Sequence, residues 1–477
     1  MATRSCAHAL ALVLVAAGCT PARPAAVPAP APVPPVRPNL ILVVTDDMAA
    51  EDLDHLPRIK SLLVDRGVTF TRAFVTDSVC TPSRASILTG RYPHNHGALD
   101  NMLPLGGFKK FRQDGREALT FAIGLQAAGY RTGLIGKYLN GYPGSEHRYV
   151  PPGWAEWYCL FFPEPYYDYE VNHRGLLERH GDQPPDYQTD VLAARAVDFV
   201  SQLPTGGERQ PFLLYLAPHA PHQPDRPATR HETAFAGLRA PRPPSFDEED
   251  VSAKPGWVRA QARLTPEVVD RIDDLYRRRL RTLLAVDEMV ERILHAVAAR
   301  GELDSTYVFL TSDNGFQLGA HRLDHGKGDA YEESIRVPLV VRGPGVRPGT
   351  CEEPVLNIDY APTLAELAGA AAPAGVDGRS FVPLLHGRAP GGGKWRTDFL
   401  VEHWTADEGG IPPYSALRSS SYLYVEYPEE ERELYDLRAD PYELHNVHAA
   451  ADPSLRERLS RRLAALKACA GATCRDQ

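Results

Sequence analysis

The chain has 477 residues, of which 43% are hydrophobic and 24% charged, a composition typical of a globular protein with one large and one smaller domain. Its formal net charge of −9 argues against general nucleic-acid binding, because no basic excess is available to neutralise a phosphate backbone. If the substrate is anionic, the positive charge that binds it must be concentrated locally.

At the N-terminus, the first 19 residues have the features of a secretion signal. Residues 16–19 read Ala-Ala-Gly-Cys, which resembles a bacterial lipobox, in which the cysteine is lipidated and becomes the first residue. Cleavage by an ordinary signal peptidase is the alternative. We predict an exported protein of the bacterial cell envelope, lipid-anchored through Cys19 or else secreted or periplasmic. No later apolar run approaches the ~20 residues that span a bilayer.

The remaining chain divides into three predicted segments. Residues 20–38 are almost all Pro, Ala and Val, which form an extended spacer. Residues 39–387 are predicted as a large α/β domain, and residues 394–477 as a small α+β domain after a Pro/Gly-rich break. The elements predicted in the small domain are strands at 397–402 and 422–427 and a helix at 453–467.

Short β-branched and aromatic runs separated by helical patterns predict a large, mostly parallel sheet flanked by helices. A long helix is predicted from about Pro266 to Arg300, where apolar residues recur on one face. The Pro-rich segment 224–256 is predicted as a surface loop near the active face. The four clearest strands are at 39–45, 132–135, 212–216 and 307–311.

Five cysteines follow the signal segment, at positions 80, 159, 351, 469 and 474. Cys469 and Cys474 are the nearest pair along the chain, and an exported setting permits disulfides, but the sequence leaves the pairing open. The odd count leaves at least one cysteine for another role.

Polar residues follow each of the four predicted strands. In open α/β sheets, ligands bind at the carboxyl ends of the strands. Each of these residues alone could belong to a turn or be a solvated side chain, but their convergence on one edge of the sheet indicates a ligand site. Carboxylate and amide oxygens are hard ligands, which Ca²⁺ and Mg²⁺ prefer. The sequence has no Cys or His residues at the spacing of a zinc site. We therefore predict a bound Ca²⁺, with Mg²⁺ as the less favoured alternative. Asp313 is predicted to face solvent at its strand end rather than the core. The residues concerned are Asp46, Asp47, Lys137, His219, His222, Asp313 and Asn314.

The segment that begins at Cys80 reads CTPSRASILTGR. Thr81 is predicted as the N-cap of a short helix, Pro82 as its first residue and Gly90 as its C-terminal stop. Cys80 and Arg84 would then lie at the positive end of that helix, which favours anions. An inert buried cysteine before a helix is the alternative explanation.

This segment resembles the CxPxR and LTGR signature of the sulfatase family, in which the cysteine is oxidised to formylglycine during export. The family resemblance implies the fold of the alkaline phosphatase superfamily, with residues 39–387 as the catalytic domain, and a formylglycine-generating enzyme as maturation partner. The resemblance covers nearly the whole mature chain, through NLILVVTDD at 39–47, GKYLNGY at 136–142, APHAPHQP at 217–224, TSDNG at 311–315, HGKGDAYEES at 325–334 and ELYDLRADPYE at 433–443.

The resemblance also implies a role for each matching residue. Arg84 would hold the formylglycine hydrate, while Lys137 and Lys327 would bind sulfate oxygens. His222 would contact the leaving group, with His219 as second choice. The implied calcium ligands are Asp46, Asp47, Asp313, Asn314 and the modified residue 80.

Three motifs resemble the N-acetylglucosamine-6-sulfatase branch, which acts on glycosaminoglycan sugars: residues 136–140, 92–96 and 153–158. Where many arylsulfatases have a histidine two residues beyond the first lysine, this chain has Leu139, followed by Asn140, which we include among the substrate-binding residues. Aromatic side chains are predicted to stack on sugar faces, with simple packing as the alternative. They are Trp154, Trp157, Tyr158, Tyr166 and Tyr167.

The implied reaction is hydrolysis of a sulfate monoester, in which one hydroxyl of the formylglycine hydrate attacks sulfur and loss of the proton from the other later expels sulfate. A protonated His222 would act as general acid for a sugar alcohol. The predicted substrate is 6-O-sulfated N-acetylglucosamine or another sulfated carbohydrate. The alternatives are a broad arylsulfatase, a phosphonate or phosphate monoester hydrolase, and a lipoprotein that binds sulfated glycans without cleaving them.

Overall fold

A ten-stranded mixed sheet organises the larger part of the chain. The computed structural model describes residues 1–2, 37–204, 209–388, 395–406 and 410–475. Residues 3–19 of the predicted signal segment, which include Cys19, and the spacer as far as residue 36 lie outside these residues, as does most of the predicted break before residue 394. Within the described part, the chain contains no helix that combines the length and apolarity needed to cross a bilayer.

The strands of the large sheet follow one another along the chain with helices between most of them. They are β1 Asn39–Thr45, β2 Val68–Phe70, β3 Arg131–Gly136, β4 Glu156–Leu160, β5 Glu170–His173, β6 Leu176–Arg179, β7 Phe212–Ala217, β8 Thr306–Ser312, β9 Leu339–Arg342 and β10 Gly349–Cys351. Their order across the sheet is β10-β2-β9-β8-β1-β7-β3-β4-β5-β6.

The five central strands, β8-β1-β7-β3-β4, are parallel to one another, so their carboxyl ends lie at one edge. Four of these strands are those predicted from the sequence. The sheet is mixed because β9 and β5 run antiparallel to their central neighbours. A parallel pair needs a crossover connection. Residues 137–155 connect β3 to β4 without a helix, whereas the connections from β6 to β7 and from β7 to β8 contain the long helices Gln188–Ser201 and Pro266–Ala299.

Helices cover both faces of the sheet, which makes a three-layer α/β architecture. Alternate residues of β1 enter different cores: Leu40 and Leu42 pack on one face, and Ile41 and Val43 on the other. The α-helices are Pro57–Leu62, Cys80–Thr89, Pro93–His96, Gly107–Gln113, Phe121–Ala127, Gln188–Ser201, Gly256–Arg259, Pro266–Ala299, Glu332–Ile335, Tyr360–Ala368, Val382–Leu385 and Pro453–Lys467.

A four-stranded antiparallel sheet follows in the C-terminal part, as an α+β arrangement requires. It contacts the large domain near the Cys80 helix, where the amide of Glu402 donates to the carbonyl of Thr76 at 2.9 Å. A disulfide joins Cys469 to Cys474 beyond the terminal helix. The strands of this sheet are β11 Asp398–His403, β12 Tyr414–Ser419, β13 Tyr422–Glu426 and β14 Arg432–Asp436.

The end of β3 depends on a glycine. Gly136 has φ +118°, and a Cβ there would lie 2.0 Å from the carbonyl oxygen of Ala217, the acceptor for the Lys137 amide. We expect Gly136→Ala to lower the free energy of unfolding by more than the roughly 1–3 kcal/mol of one strained backbone residue, because β3 and β7 must separate. Urea unfolding measures this loss. Gly301→Ala is the control, since Gly301 has φ +69° but open space around it; equal losses would contradict the clash.

Candidate active site

The carboxyl ends of four adjacent parallel strands bring the predicted residues together. The amide of Asp313, after β8, donates to the carbonyl of Thr45 at the end of β1, at 3.1 Å. The amide of Lys137, after β3, donates to the carbonyl of Ala217 at the end of β7, at 2.7 Å. Asp46 and Asp47 follow β1 directly, so the edge of the sheet fixes their position beside the other strand ends.

Asp46 lies at the centre of the positive groups. The Lys137 ammonium donates to its Oδ2 at 2.6 Å, Arg84 NH2 is 3.7 Å from its Oδ1, and His219 Nδ1 is 3.2 Å from its Oδ2. Burial alone would raise the pKa of Asp46, but Lys137, His222 and Arg84 hold it well below the usual value. Asp46 is therefore an anion in the interior of the protein.

Asp47, Asp313 and Asn314 form the second part of the cluster. Asp313 Oδ1 accepts from the backbone amide of Asp47 at 3.0 Å, and its Oδ2 accepts from Arg84 Nε at 2.8 Å. The side-chain amide of Asn314 donates to Asp47 Oδ1 at 2.8 Å, and the Lys327 ammonium contacts the same oxygen. Burial raises the pKa of Asp47, but Lys327, His222 and Arg279 together outweigh it and leave that pKa lowered.

Asp313 corrects one prediction. We expected it to face solvent at the strand end, but its side chain is fully buried against the equally buried Arg84. Burial raises the pKa of Asp313 to about 6, and Asp46 adds to this, while Arg84 opposes it. Arg84 therefore does not fully compensate the negative charge of the Asp313 carboxylate.

Buried oxygens around Asp47 fit a hard divalent cation. The side-chain oxygen of Asn314 has no hydrogen-bond partner although it is buried. Ligand atoms of Asp46, Asp47, Cys80 and His222 lie within 4.8 Å of one another. Asp47 also has φ +73°, a strained conformation for this residue type. Carboxylate and amide oxygens at such a site are the ligands that Ca²⁺ and Mg²⁺ prefer.

Cys80 lies at the start of the helix Cys80–Thr89, and the predicted cap is wrong by two residues. Val79 is the N-cap, while Gly90 ends the helix in the left-handed conformation as predicted. The cysteine Sγ is 3.4 Å from Asp46 Oδ1 and accepts from the Lys327 ammonium at 2.9 Å. Burial raises the pKa of the thiol far above its ordinary value, and Asp46 adds to this. An unmodified thiol here would stay protonated at neutral pH.

Both predicted histidines border the cluster, on different sides. His219 faces Asp46 and is 3% exposed, whereas His222 keeps 30% of its side chain exposed, with Nε2 3.8 Å from Asp47 Oδ2. Each donates its other ring nitrogen to the carbonyl of Gln223 at 2.8 Å. His222 therefore has the better access to a bound ligand. Burial lowers the pKa of His222 to about 4, although the carboxylates of Asp47 and Asp46 act in the opposite direction. The ring therefore needs a bound anion nearby to stay protonated at neutral pH.

Asn140 is held at the edge of the site rather than inside it. Its side-chain oxygen accepts from the Thr81 hydroxyl at 3.2 Å, and its backbone amide donates to the same hydroxyl at 3.1 Å. It thereby connects the turn after Lys137 to the start of the Cys80 helix.

The aromatic side chains predicted to stack on sugars are buried, so this prediction is wrong for most of them. Trp154 and Trp157 belong to the core on one face of the sheet, and Tyr158 to the core on the other. Tyr167 packs against the ring of Tyr187. The packing alternative describes them better, because each is at most 7% exposed.

One residue at the site, Arg279, was missed from the sequence, and a second, Tyr166, was predicted for a different role. Arg279, in the long helix, donates to the carbonyls of Asp47 and Pro221 and lies 3.8 Å from the ring of Phe316. The hydroxyl of Tyr166 donates to the carbonyl of His222 at 2.9 Å. The helical pattern marks Arg279 only as a polar position beside an apolar stripe, so sequence carried no signal that it turns inward.

Comparisons with known proteins agree with this geometry. Residues 38–370 match the model of the sulfatase family, and residues 319–469 match the C-terminal model of N-sulphoglucosamine sulphohydrolase. A human protein named N-acetylglucosamine-6-sulfatase is 36% identical over 92% of this chain and 86% of its own length.

Solved structures share the fold. One, in complex with its substrate D-glucosamine-2-N,6-O-disulfate, matches with a TM-score of 0.75 at 26% identity over 90% of this chain and 97% of its own. A phosphonate monoester hydrolase of Agrobacterium radiobacter matches with a TM-score of 0.72 at 22% identity, over 91% and 96% of the two chains, which concerns the fold alone. The predicted alkaline-phosphatase-like architecture is confirmed.

Proposed function

This chain belongs to the sulfatase family and is a sulfuric ester hydrolase, and we propose that it removes the 6-O-sulfate of N-acetylglucosamine, free or at a non-reducing chain end, using formylglycine made from Cys80 and a bound calcium ion. The observation that carries the proposal is the position of Cys80. Its Sγ lies in an anion-binding cluster, between Asp46 and the Lys327 ammonium.

The charges of the cluster support a cation and an anionic substrate together. The buried acids Asp46, Asp47 and Asp313 are matched in number by Arg84, Lys137 and Lys327. A divalent cation would therefore give the site a net positive charge, which suits a sulfate ester. Asp46, Asp47, Asp313 and Asn314 would hold this Ca²⁺, which would neutralise charge on the sulfate oxygens.

The formylglycine hydrate would supply a hydroxyl nucleophile and a second hydroxyl for release of sulfate. The chain's own residues then have separate tasks. Arg84, fixed by Asp313, would orient residue 80, and Lys137 and Lys327 would bind the non-bridging oxygens that gain charge in the transition state. Nearly complete burial of Lys137 excludes water and strengthens that interaction.

His222 would carry the proton to the leaving oxygen. It is the more exposed of the two histidines, and the carbonyl of Gln223 fixes its Nδ1 as the protonated nitrogen, leaving Nε2 toward the site. The negative charge of the sulfate ester would favour the protonated ring, which burial alone disfavours. His219 would instead position Asp46.

The sequence motifs and the names of relatives support the substrate proposal. The aromatic residues do not support it, because they are buried. We further propose export through the N-terminal signal, anchoring at Cys19, maturation by a formylglycine-generating enzyme, and the division into domains at 39–387 and 394–477. These proposals rest on the sequence.

The test compares substrates in wild type and in His222→Ala. We expect kcat/KM to be higher for N-acetylglucosamine 6-sulfate than for an aryl sulfate, and higher for both than for the matching phosphate esters. Loss of a general acid should lower kcat/KM for the sugar sulfate by about 10²- to 10⁴-fold, and by a smaller factor for an aryl ester, whose leaving group needs little protonation.

His325→Ala is the control, because His325 is an exposed histidine near Lys327 that pairs with Asp324. It should leave both substrates unaffected. Equal losses for the two substrates in His222→Ala would remove His222 from the acid role. A wild-type preference for aryl or phosphate esters would refute the sugar assignment.

A further inference from the structure

A second cluster of metal-ligating side chains lies outside the site around Cys80. It consists of His321, Glu333 and Glu443, whose potential ligand atoms lie within 4.8 Å of one another. Glu333 belongs to the short helix Glu332–Ile335, whereas Glu443 follows the C-terminal sheet. Sulfate ester hydrolysis, as assigned above, uses none of the three.

His321 is oriented as a metal ligand would be. It is completely buried, and its Nδ1 lies 2.8 Å from Glu248 Oε2 and 3.2 Å from the Lys254 ammonium. With its proton on Nδ1, directed at Glu248, the ring keeps a free lone pair on Nε2. Nε2 has no hydrogen-bond partner and is 3.8 Å from Glu333 Oε2. The Lys254 ammonium, which contacts Nδ1, is also 3.5 Å from Glu248 Oε2 and balances the charge of that carboxylate.

Both carboxylates have one occupied and one free oxygen. Glu333 Oε1 accepts from the hydroxyl of Ser245 at 3.1 Å, and Glu443 Oε2 accepts from the backbone amide of Glu332 at 3.1 Å. Glu333 Oε2 and Glu443 Oε1 are buried without a partner. Three unpartnered atoms from three residues therefore share one small region.

The positive charges near these carboxylates bind other groups: the Lys254 ammonium donates to the backbone carbonyl of Glu443. The nearby Arg336 and Arg418 pair with Glu332, and in the described part of the chain no lysine or arginine forms an ion pair with Glu333 or Glu443. Burial raises the pKa of Glu333 to about 7 and, with Glu332, raises that of Glu443 further. A cation would relieve this excess of negative charge.

We propose that His321, Glu333 and Glu443 bind a divalent transition-metal cation of the Zn²⁺ type, which fastens the C-terminal segment to the large domain. One imidazole nitrogen with two carboxylate oxygens suits Zn²⁺ better than Ca²⁺. Tetrahedral ligands of zinc lie roughly 3.4 Å apart, given bonds of about 2.0–2.1 Å, which is close to the observed nitrogen–oxygen distance.

The site has a route for entry and room for a water ligand. Glu333 and Glu443 line a cavity of about 450 Å³, whose wall also includes Asp52 and Tyr442. The fourth position of the cation would face this cavity and take a water ligand.

Zinc titration of the full chain, with Ca²⁺ at saturating concentration, tests the proposal. We expect the wild type to bind one equivalent of Zn²⁺ and to gain thermal stability from it. Glu443→Gln and His321→Gln should each weaken this binding by at least about 100-fold, while the calcium content and sulfate-ester turnover stay unchanged. Glu352→Gln, an exposed acid elsewhere, should bind Zn²⁺ as the wild type does.

Cys80→Ala separates this site from the thiol, because it should keep the equivalent of Zn²⁺. Absence of zinc binding in the wild type, unchanged binding in Glu443→Gln, or loss of binding in Cys80→Ala would overturn the proposal. If His321→Gln fails to fold, titration with Co²⁺ instead of Zn²⁺ decides. The visible absorption of bound Co²⁺ should appear in the wild type and be absent in Glu443→Gln. These readouts do not depend on the identity of the sulfated substrate.

Discussion

Cys80→Ser should lower sulfate-ester turnover by on the order of 10⁴- to 10⁶-fold, the scale of losing a covalent nucleophile. The introduced hydroxyl would occupy the same position beside Asp46 and Lys327, so substrate binding should survive. A single hydroxyl can attack sulfur but has no second hydroxyl to expel sulfate. We therefore expect a small amount of covalently sulfated protein to accumulate, which intact mass measurement would detect.

Mass spectrometry of the wild type tests the origin of this effect. Peptides that contain position 80 should lose the thiol mass and carry an aldehyde when the host has the maturation enzyme. Cys159→Ser is the matched control, because Cys159 is also fully buried but lies in the core of the sheet. It should keep its turnover. Fully active protein with an unmodified Cys80 would contradict the mechanism.

Asp313→Asn should remove both activity and stability. The substitution leaves the fully buried Arg84 without its closest charge partner, and breaking a buried ion pair on one side costs about 3–5 kcal/mol. Loss of a cation ligand should also lower kcat/KM by about 10²- to 10³-fold or more. Calorimetric titration with Ca²⁺ and urea unfolding in the presence of a chelator measure the two effects separately.

A double variant separates the two roles of Asp313. Arg84→Met combined with Asp313→Asn should recover much of the lost stability, since both buried charges are removed, but it should recover no activity. Asp65→Asn is the control, because Asp65 forms an exposed ion pair with Lys60. This substitution should lower the free energy of unfolding by at most about 1 kcal/mol. Unchanged calcium affinity in Asp313→Asn would remove Asp313 from the metal site.

The burial of Asp313 shows why the two measurements are needed. Its pKa is raised despite the arginine, because burial and the neighbouring carboxylates outweigh Arg84 and Lys327. A residue in this setting affects folding and catalysis at once. Loss of activity alone would not distinguish a missing ligand from a collapsed site.

Most of the residues that converge at the strand ends, and the approximate positions of the strands, could be predicted from the sequence. Strand β1 has the predicted bounds, Asn39–Thr45, because an uninterrupted β-branched run can be buried on both faces of a parallel sheet. The residues that follow the strands were identified for a physical reason: carboxyl ends of parallel strands meet at one edge, where backbone groups leave room for a ligand.

The pairing of these residues, their depth of burial and the other side chains that reach them depend on long-range packing. The order of strands comes from crossovers that periodicity does not encode, so the contacts of Asp313 with Arg84 and of Lys327 with Cys80 were not readable from the chain. The burial of Trp157 could not be predicted either, because it depends on which elements cover that face of the sheet. The cluster of His321, Glu333 and Glu443 draws on segments more than a hundred residues apart, because long-range packing, which local sequence does not specify, brings them together.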